Sequence, residues 1–82
     1  MELKDTIDGM LSDDYIERFI TEYRQLDIRI NKLNAILEQE HKKKLDFKLN
    51  TPIEMLLDQR YAMLKYMQIL RARAKYEGIN LD

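Results

Sequence analysis

The chain has 82 residues, of which 45% are apolar and 35% charged, with two Gly, one Pro and no Cys. This composition excludes collagen-like, low-complexity and disulfide-rich proteins, and it favours a single helical domain over residues 1–82. The net charge of −1 excludes a strongly basic surface for duplex nucleic acid. Residues 1–40 nevertheless carry five Lys and Arg against ten Asp and Glu, whereas residues 41–82 carry nine against five, so the two halves should attract each other.

The N-terminal segment has helical spacing, since Leu3, Ile7 and Met10 recur every three or four residues. We therefore expect a short amphipathic helix over residues 2–10, weakened by Gly9. The segment lacks the apolar core of a signal peptide, and no apolar run approaches the roughly 20 residues of a membrane span. An intracellular, soluble protein that makes no membrane contact is expected.

A first long helix is predicted over residues 13–40. Ser12, Asp13 and Asp14 offer oxygens and negative charge to the free amides of its first turn. Apolar residues then follow an unbroken spacing of three and four over three heptads, which is typical of a helix packed along another helix. They are Ile16, Phe19, Tyr23, Leu26, Ile30, Leu33 and Leu37.

A second long helix is predicted over residues 52–77, after a lysine-rich loop at 41–50. Thr51 and Glu54 have the spacing of a capping box, with Pro52 at the first helical position, and Gly78 is placed to end the helix in a left-handed turn. One broad apolar face should pack on the first helix. It comprises Ile53, Leu56, Leu57, Met63, Leu64, Met67, Leu70 and Ala74.

These elements predict an all-α fold, an antiparallel two-helix hairpin with a short N-terminal helix. A hairpin with one shared seam is hard to stabilise alone, and a secondary apolar stripe remains on each long helix. The stripes comprise Ile28, Ala35 and Ile36 on the first helix and Met55, Ala62, Tyr66 and Ile69 on the second. We therefore expect a helical homo-oligomer.

The usual constellations of small catalytic domains are missing. The chain has no Cys, a single His at position 41 and no glycine-rich phosphate loop. Acidic pairs such as Asp13 with Asp14 are explained by capping and surface charge. We therefore predict no enzyme, no catalytic residue, no metal site and no cofactor.

Two arginines fall within the apolar arc of the second helix. Arg60 and Arg71 stand about three helical turns apart, and a charge there needs a partner. Either they form ion pairs with acidic residues of the first helix, such as Asp27, or they hold an anion in a pocket between protomers. The sequence leaves both alternatives open.

Aromatic and cationic residues also occur together on both long helices. Tyr15 and Phe19 begin the first helix, Lys32 lies further along it, and Arg73 lies near the end of the second. Nucleobases stack on aromatic rings and phosphates accept hydrogen bonds from Lys and Arg, so the combination suits a nucleotide pocket. Core packing is the alternative explanation, particularly for Phe19 in the apolar seam.

The segments DYIERFITEYRQLDIRINKL and LLDQRYAMLKYMQILRAR resemble a group of very short helical proteins of tailed bacteriophages, over roughly residues 13–73. The first carries the spacing R-x-x-x-E-Y-x-x-L-x-x-R-x-x-K-L, and the second carries Q-x-x-x-M-x-x-Y-x-x-x-L-x-x-R. The group is similar to the phage anti-CBASS sponges. That resemblance implies compact helical hexamers that sequester cyclic oligonucleotide signals in the host cytoplasm without cleaving them.

The resemblance also implies a base stacked on an aromatic of the first helix and phosphates held by a lysine and an arginine. Carried to this chain, the lysine is Lys32, the arginine is Arg71 or Arg73, and the aromatic is Tyr15, with Phe19 second. The predicted function is therefore sequestration of a cyclic di- or trinucleotide as an anti-CBASS sponge. The alternative is a helical adaptor or inhibitor that binds a host or phage protein.

Overall fold

The computed structural model describes all 82 residues and consists of helices without strands. A 3-10 turn, Leu3–Thr6, leads into the one-turn helix α1, and two long helices follow. The helices are α1, Ile7–Met10; α2, Tyr15–His41; and α3, Ile53–Glu77. The predicted all-helical class is confirmed, and α2 and α3 pack together as a hairpin. None of the helices combines the length and the apolar character that crossing a membrane requires.

Helix α2 is capped by one of the three residues expected there, although it begins at Tyr15, two residues later than predicted. The carboxylate of Asp14 accepts a hydrogen bond of 3.0 Å from the amide of Ile16, so Asp14 is the capping residue. The hydroxyl of Ser12 donates to Glu17 at 2.8 Å and accepts from the amide of Asp14 at 3.1 Å. These contacts satisfy polar groups that would otherwise be left free at a helix start.

The start of α3 corrects one expectation, because the capping box between Thr51 and Glu54 does not form. Pro52 is itself the capping residue, with an extended ψ of 141°, and no side chain bonds to the exposed amides. The carbonyl of Pro52 accepts instead from the amides of Met55 and Leu56, at 3.1 and 3.4 Å. The helix therefore begins at Ile53, too late for Thr51 to act as its cap.

The core lies between α2 and the C-terminal half of α3. Leu70 is fully buried, with 0% of its surface exposed. The cluster around it comprises Phe19, Leu26, Ile30, Met67, Leu70, Ala74 and Ile79. Leu57 and Leu64, which we expected on the packing face, are exposed. Leu64 lies roughly 120° around the helix axis from Leu70, which turns it away from this core, and Leu57 lines a groove between the end of α2 and the start of α3.

The C-terminal end of α3 is anchored by a left-handed turn. Gly78 has φ of 69°, a conformation that glycine adopts without steric cost, and its prediction as the helix terminator is confirmed. The amide of Ile79 donates to the carbonyl of Ala74 at 2.8 Å, as in a Schellman motif. Because Ile79 is buried in the core cluster, this turn holds the last turn of α3 against α2.

The N-terminal segment packs on the side of α2 that faces away from α3. Its buried residue is Thr6, which lies 3.4 Å from the Gln25 amide nitrogen, whereas Ile7 of the expected apolar face is exposed. Gly9 lies so close to Thr21 that an added Cβ would overlap the threonine hydroxyl. The close approach of the Gly9 backbone to Thr21, rather than an apolar stripe, therefore positions this segment on α2.

Candidate functional site

An aromatic and cationic cluster forms where α2 begins and α3 ends. We define the Tyr15–Arg73 cluster as Tyr15, Phe19, Arg73 and Glu77. The antiparallel packing of α2 on α3 brings together residues up to 62 positions apart in the sequence. Three of the sequence-predicted site residues, Tyr15, Phe19 and Arg73, are therefore neighbours in one chain.

The cluster is joined by hydrogen bonds and by ring contacts. The Tyr15 hydroxyl donates to Glu77 Oε1 at 2.6 Å and accepts from Arg73 Nη2 at 3.1 Å. Arg73 Nε lies 3.5 Å from Glu77 Oε2. The guanidinium carbon of Arg73 is 4.9 Å from the centre of the Phe19 ring, within range of a cation–π contact. The arginine is thus held in position while about half of its side chain remains exposed.

The two aromatic rings of the cluster differ in what they present to solvent. Phe19 is buried in the core, so its ring serves as a platform under Arg73. Tyr15 is 44% exposed, and the ring centroids of the two residues are 6.1 Å apart with a tilt of 58°. Of the two, only Tyr15 presents a free ring surface of the kind that a planar base stacks upon.

The charges of the cluster shift two pKa values. The hydrogen bond to Glu77 raises the pKa of the Tyr15 hydroxyl above its usual value, because it stabilises the protonated phenol. The hydrogen bond to Tyr15 raises the pKa of Arg73 further above its already high value. Near neutral pH the cluster therefore presents a neutral phenol beside a charged guanidinium.

Arg71 lies on the opposite side of the seam between α2 and α3. Positions 71 and 73 point about 200° apart around the helix axis. Arg71 Nε donates to the Tyr23 hydroxyl at 3.0 Å, and its guanidinium carbon is 5.7 Å from the centre of that ring. Asp27 forms no ion pair with it. Arg71 lines a separate surface depression of about 370 Å³ beside the C-terminal tail.

Lys32 is remote from the Tyr15–Arg73 cluster within one chain. It follows Tyr15 by about 25 Å along the axis of α2. Its ammonium group lies 4.0 Å from the carboxylate of Glu2, on the side of α2 that carries the N-terminal segment. Lys32 and Arg73 of the same chain therefore do not meet at one phosphate.

Arg60 lies at the other end of the hairpin. It lines a groove of about 940 Å³ between the end of α2 and the start of α3, together with apolar residues and the exposed His41. The side chain is half-buried and forms no ion pair, so the expected internal partner on α2 is not present. Arg60 takes no part in the Tyr15–Arg73 cluster.

Helix α3 also exposes an apolar stripe beside the face that packs on α2. We define the outer face of α3 as Met55, Ala62, Tyr66, Ile69 and Tyr76. All five are exposed, and Tyr76 reaches 94%. From Ala62 to Tyr76 the stripe residues are spaced by alternating steps of four and three residues when Arg73 is included. Because Arg73 lies within this spacing, the stripe adjoins the Tyr15–Arg73 cluster.

Sequence reasoning missed Glu77, although it contacts both Tyr15 and Arg73. The available signal was its spacing of four residues from Arg73, which places the two on one side of a helix. The contact with Tyr15 had no local signal, because it depends on how α2 and α3 are aligned. No group of three or more His, Cys, Asp or Glu residues is arranged to hold a metal ion.

Comparison with known proteins agrees with the resemblance found in the sequence. A family model described as Sequestin matches residues 13–76, which include α2, the connecting loop and nearly all of α3. Neither a curated protein nor a solved structure matches the chain. The matched range contains every residue that the sequence singled out for ligand binding.

Proposed function

The chain belongs to the Sequestin family, and from that membership we propose that it sequesters cyclic di- or trinucleotides without cleaving them. The family name denotes sequestration, in which a protein binds a ligand rather than converting it. For a phage protein in the host cytoplasm, such binding would withdraw the signals that activate CBASS defence. Sequestration acts by mass action, so it requires abundant protein with higher affinity for the signal than the host effector has.

The observation that carries this proposal is the position of the Arg73 guanidinium, 4.9 Å over the Phe19 ring and beside the exposed Tyr15. A nucleotide needs a cation for its phosphate and a ring surface for its base. Arg73 supplies the first, Tyr15 supplies the second, and Phe19 supports both from below. Tyr15 and Arg73 lie close enough to engage adjacent parts of one nucleotide.

We further propose that the complete pocket lies between subunits of a homo-oligomer, with the hexamer of the resembling sponges as the expected assembly. Lys32 and Arg71 each lie on another side of the chain from the Tyr15–Arg73 cluster. A second copy would bring its own Lys32 or Arg71 to the ligand held by Tyr15 and Arg73. A cyclic ligand with two or three phosphates needs more than one cation, which a shared pocket provides.

The outer face of α3 supports assembly. An exposed stripe of this length is unusual on a monomer, because moving apolar side chains out of water lowers the free energy. The same stripe favours a second candidate function, that of an adaptor or inhibitor docked on a host or phage protein. In that case the arginines would serve only in contacts such as the one between Arg71 and Tyr23.

Calorimetry separates the two candidates. Purified protein is titrated with a panel of cyclic di- and trinucleotides at two temperatures. The enthalpy of binding changes with temperature, so a ligand whose binding enthalpy is near zero at one temperature gives heat at the other. Sequestration predicts saturable binding to at least one ligand, with the ligand recovered intact. The absence of heat at both temperatures across the panel would contradict it and favour the adaptor.

A further inference from the structure

Glu77 engages two of the groups that a bound phosphate could use. Its two carboxylate oxygens face the Tyr15 hydroxyl at 2.6 Å and Arg73 Nε at 3.5 Å. A phosphate oxygen and a carboxylate oxygen both accept from such donors, and both carry negative charge. In the free protein, the carboxylate of Glu77 therefore fills the place of a ligand anion.

Glu77 lies at a position where its helix alone does not favour a carboxylate. As the last residue of α3, it puts a negative charge where the helix dipole is already negative, which is unfavourable. Its side chain is also less exposed than that of Arg73, at 34% against 48%. The compensation comes from Arg73 and Tyr15, so the carboxylate gains its stabilisation from the cluster itself.

We propose that Glu77 determines ligand specificity at the Tyr15–Arg73 cluster, as an internal anion that an entering phosphodiester must displace. The proposal rests on the proposed function, in which Arg73 receives the phosphate and the Tyr15 ring receives the base, and it adds the Tyr15 hydroxyl as a second donor to the phosphate. Displacement occurs only when the ligand returns an anionic oxygen to both donors. A nucleoside without phosphate leaves the Arg73–Glu77 pair closed, whereas a phosphodiester exchanges one anion for another.

The alternative role of Glu77 makes the opposite prediction. If the carboxylate served only to position Arg73 and Tyr15 for the ligand, its removal would loosen both groups and weaken phosphate binding. If the Glu77 carboxylate is a competitor, it repels the phosphate and engages the Tyr15 and Arg73 donors that the phosphate needs. Removing the carboxylate then strengthens phosphate binding. The direction of the change therefore decides between competition and positioning.

The test compares the wild-type chain with Glu77→Gln, which keeps a similar shape and removes the charge. Glu54→Gln is the matched control, because it removes one carboxylate from the same helix about 34 Å from Glu77. Both are titrated with a cyclic dinucleotide by calorimetry and with inorganic pyrophosphate by following the NMR signals of Tyr15 and Arg73. We expect Glu77→Gln to bind both probes about fivefold to tenfold more tightly, and Glu54→Gln to match the wild type.

Equal or weaker binding of pyrophosphate by Glu77→Gln would overturn the proposal, and Glu77→Ala provides a second variant for the same comparison. The pyrophosphate arm keeps this proposal separate from the proposed function. If no variant binds any cyclic di- or trinucleotide of the panel but Glu77→Gln still gains pyrophosphate affinity, then Glu77 competes with anions as proposed and the nucleotide assignment fails. If the wild type binds the cyclic dinucleotide and Glu77→Gln gains nothing, the nucleotide assignment stands and the role of Glu77 fails.

Discussion

The hydroxyl of Tyr15 donates a 2.6 Å hydrogen bond to the carboxylate of Glu77 and thereby joins the first turn of α2 to the last turn of α3. Arg73 contacts both residues and lies over Phe19. This end of the hairpin is thus a preorganised set of a ring, a cation and an internal anion.

The first prediction concerns the ionisation of Tyr15. Because the hydrogen bond to Glu77 is the main cause of its raised pKa, Glu77→Gln should lower the pKa of Tyr15 toward its usual value of 10.0. NMR of the Tyr15 Cζ signal against pH measures the change. In the folded wild type, the raised pKa contributes stability that is present below pH 10 and is lost as pH rises through the folded value. A Tyr15 pKa unchanged by the substitution would mean that the hydrogen bond does not persist in solution.

The second prediction concerns Arg73. Arg73→Met keeps a long apolar stem over Phe19 and removes the cation, so we expect cyclic nucleotide affinity to fall at least about tenfold. Arg60→Met is the control, because Arg60 lies on the same helix, forms no ion pair and is remote from the cluster. Calorimetry of both variants measures the effect. Equal affinities would remove Arg73 from the ligand site.

The third prediction concerns a pocket shared between copies. Lys32→Met and Arg73→Met should each abolish tight binding when present in every subunit. The two variants are then mixed in equal amounts and reassembled. A pocket that takes Arg73 from one copy and Lys32 from another is intact when each of these copies carries the needed residue, which happens in about a quarter of cases. Binding stoichiometry should recover to that level. If the mixture binds no better than either variant, Lys32 and Arg73 of different copies do not share a ligand.

The fourth prediction concerns the outer face of α3. Ile69→Asp places a charge in the middle of the exposed stripe, so an assembly that buries this face should dissociate. The fold of the single chain should survive, because Ile69 is exposed within it. Sedimentation at micromolar concentration measures the mass, with the exposed Gln68→Glu as control. A stable wild-type monomer, or an assembly unaffected by Ile69→Asp, would contradict this role of the stripe.

Much of the hairpin could be predicted because its signals are local. Asp14 offers an acceptor to the amide two residues ahead, and Gly78 adopts a left-handed turn at no steric cost. Thr51 misled because a capping box requires a particular helix start, and the extended ψ of Pro52 moves that start by one residue. Periodicity also assigned Leu64 to the core, although it is turned too far from Leu70 to reach it.

The site could be predicted only as a set of residue types. Exposed Tyr and Arg side chains have many potential partners, and the alignment of α2 on α3 decides which of them meet. That alignment pairs Tyr15 with Arg73 and Glu77, and it pairs Tyr23 with Arg71. The role of Glu77 could not be predicted from the sequence, because a carboxylate at a helix end resembles any other surface charge.

Equilibrium dialysis of the purified protein against cyclic di- and trinucleotides tests the central claim most directly, because it measures binding and returns the ligand for chemical identification. The account predicts that at least one of these nucleotides is concentrated on the protein side at a saturable ratio and is recovered uncleaved. Equal concentrations on both sides of the membrane for every nucleotide, or recovery of a cleaved product, would contradict it.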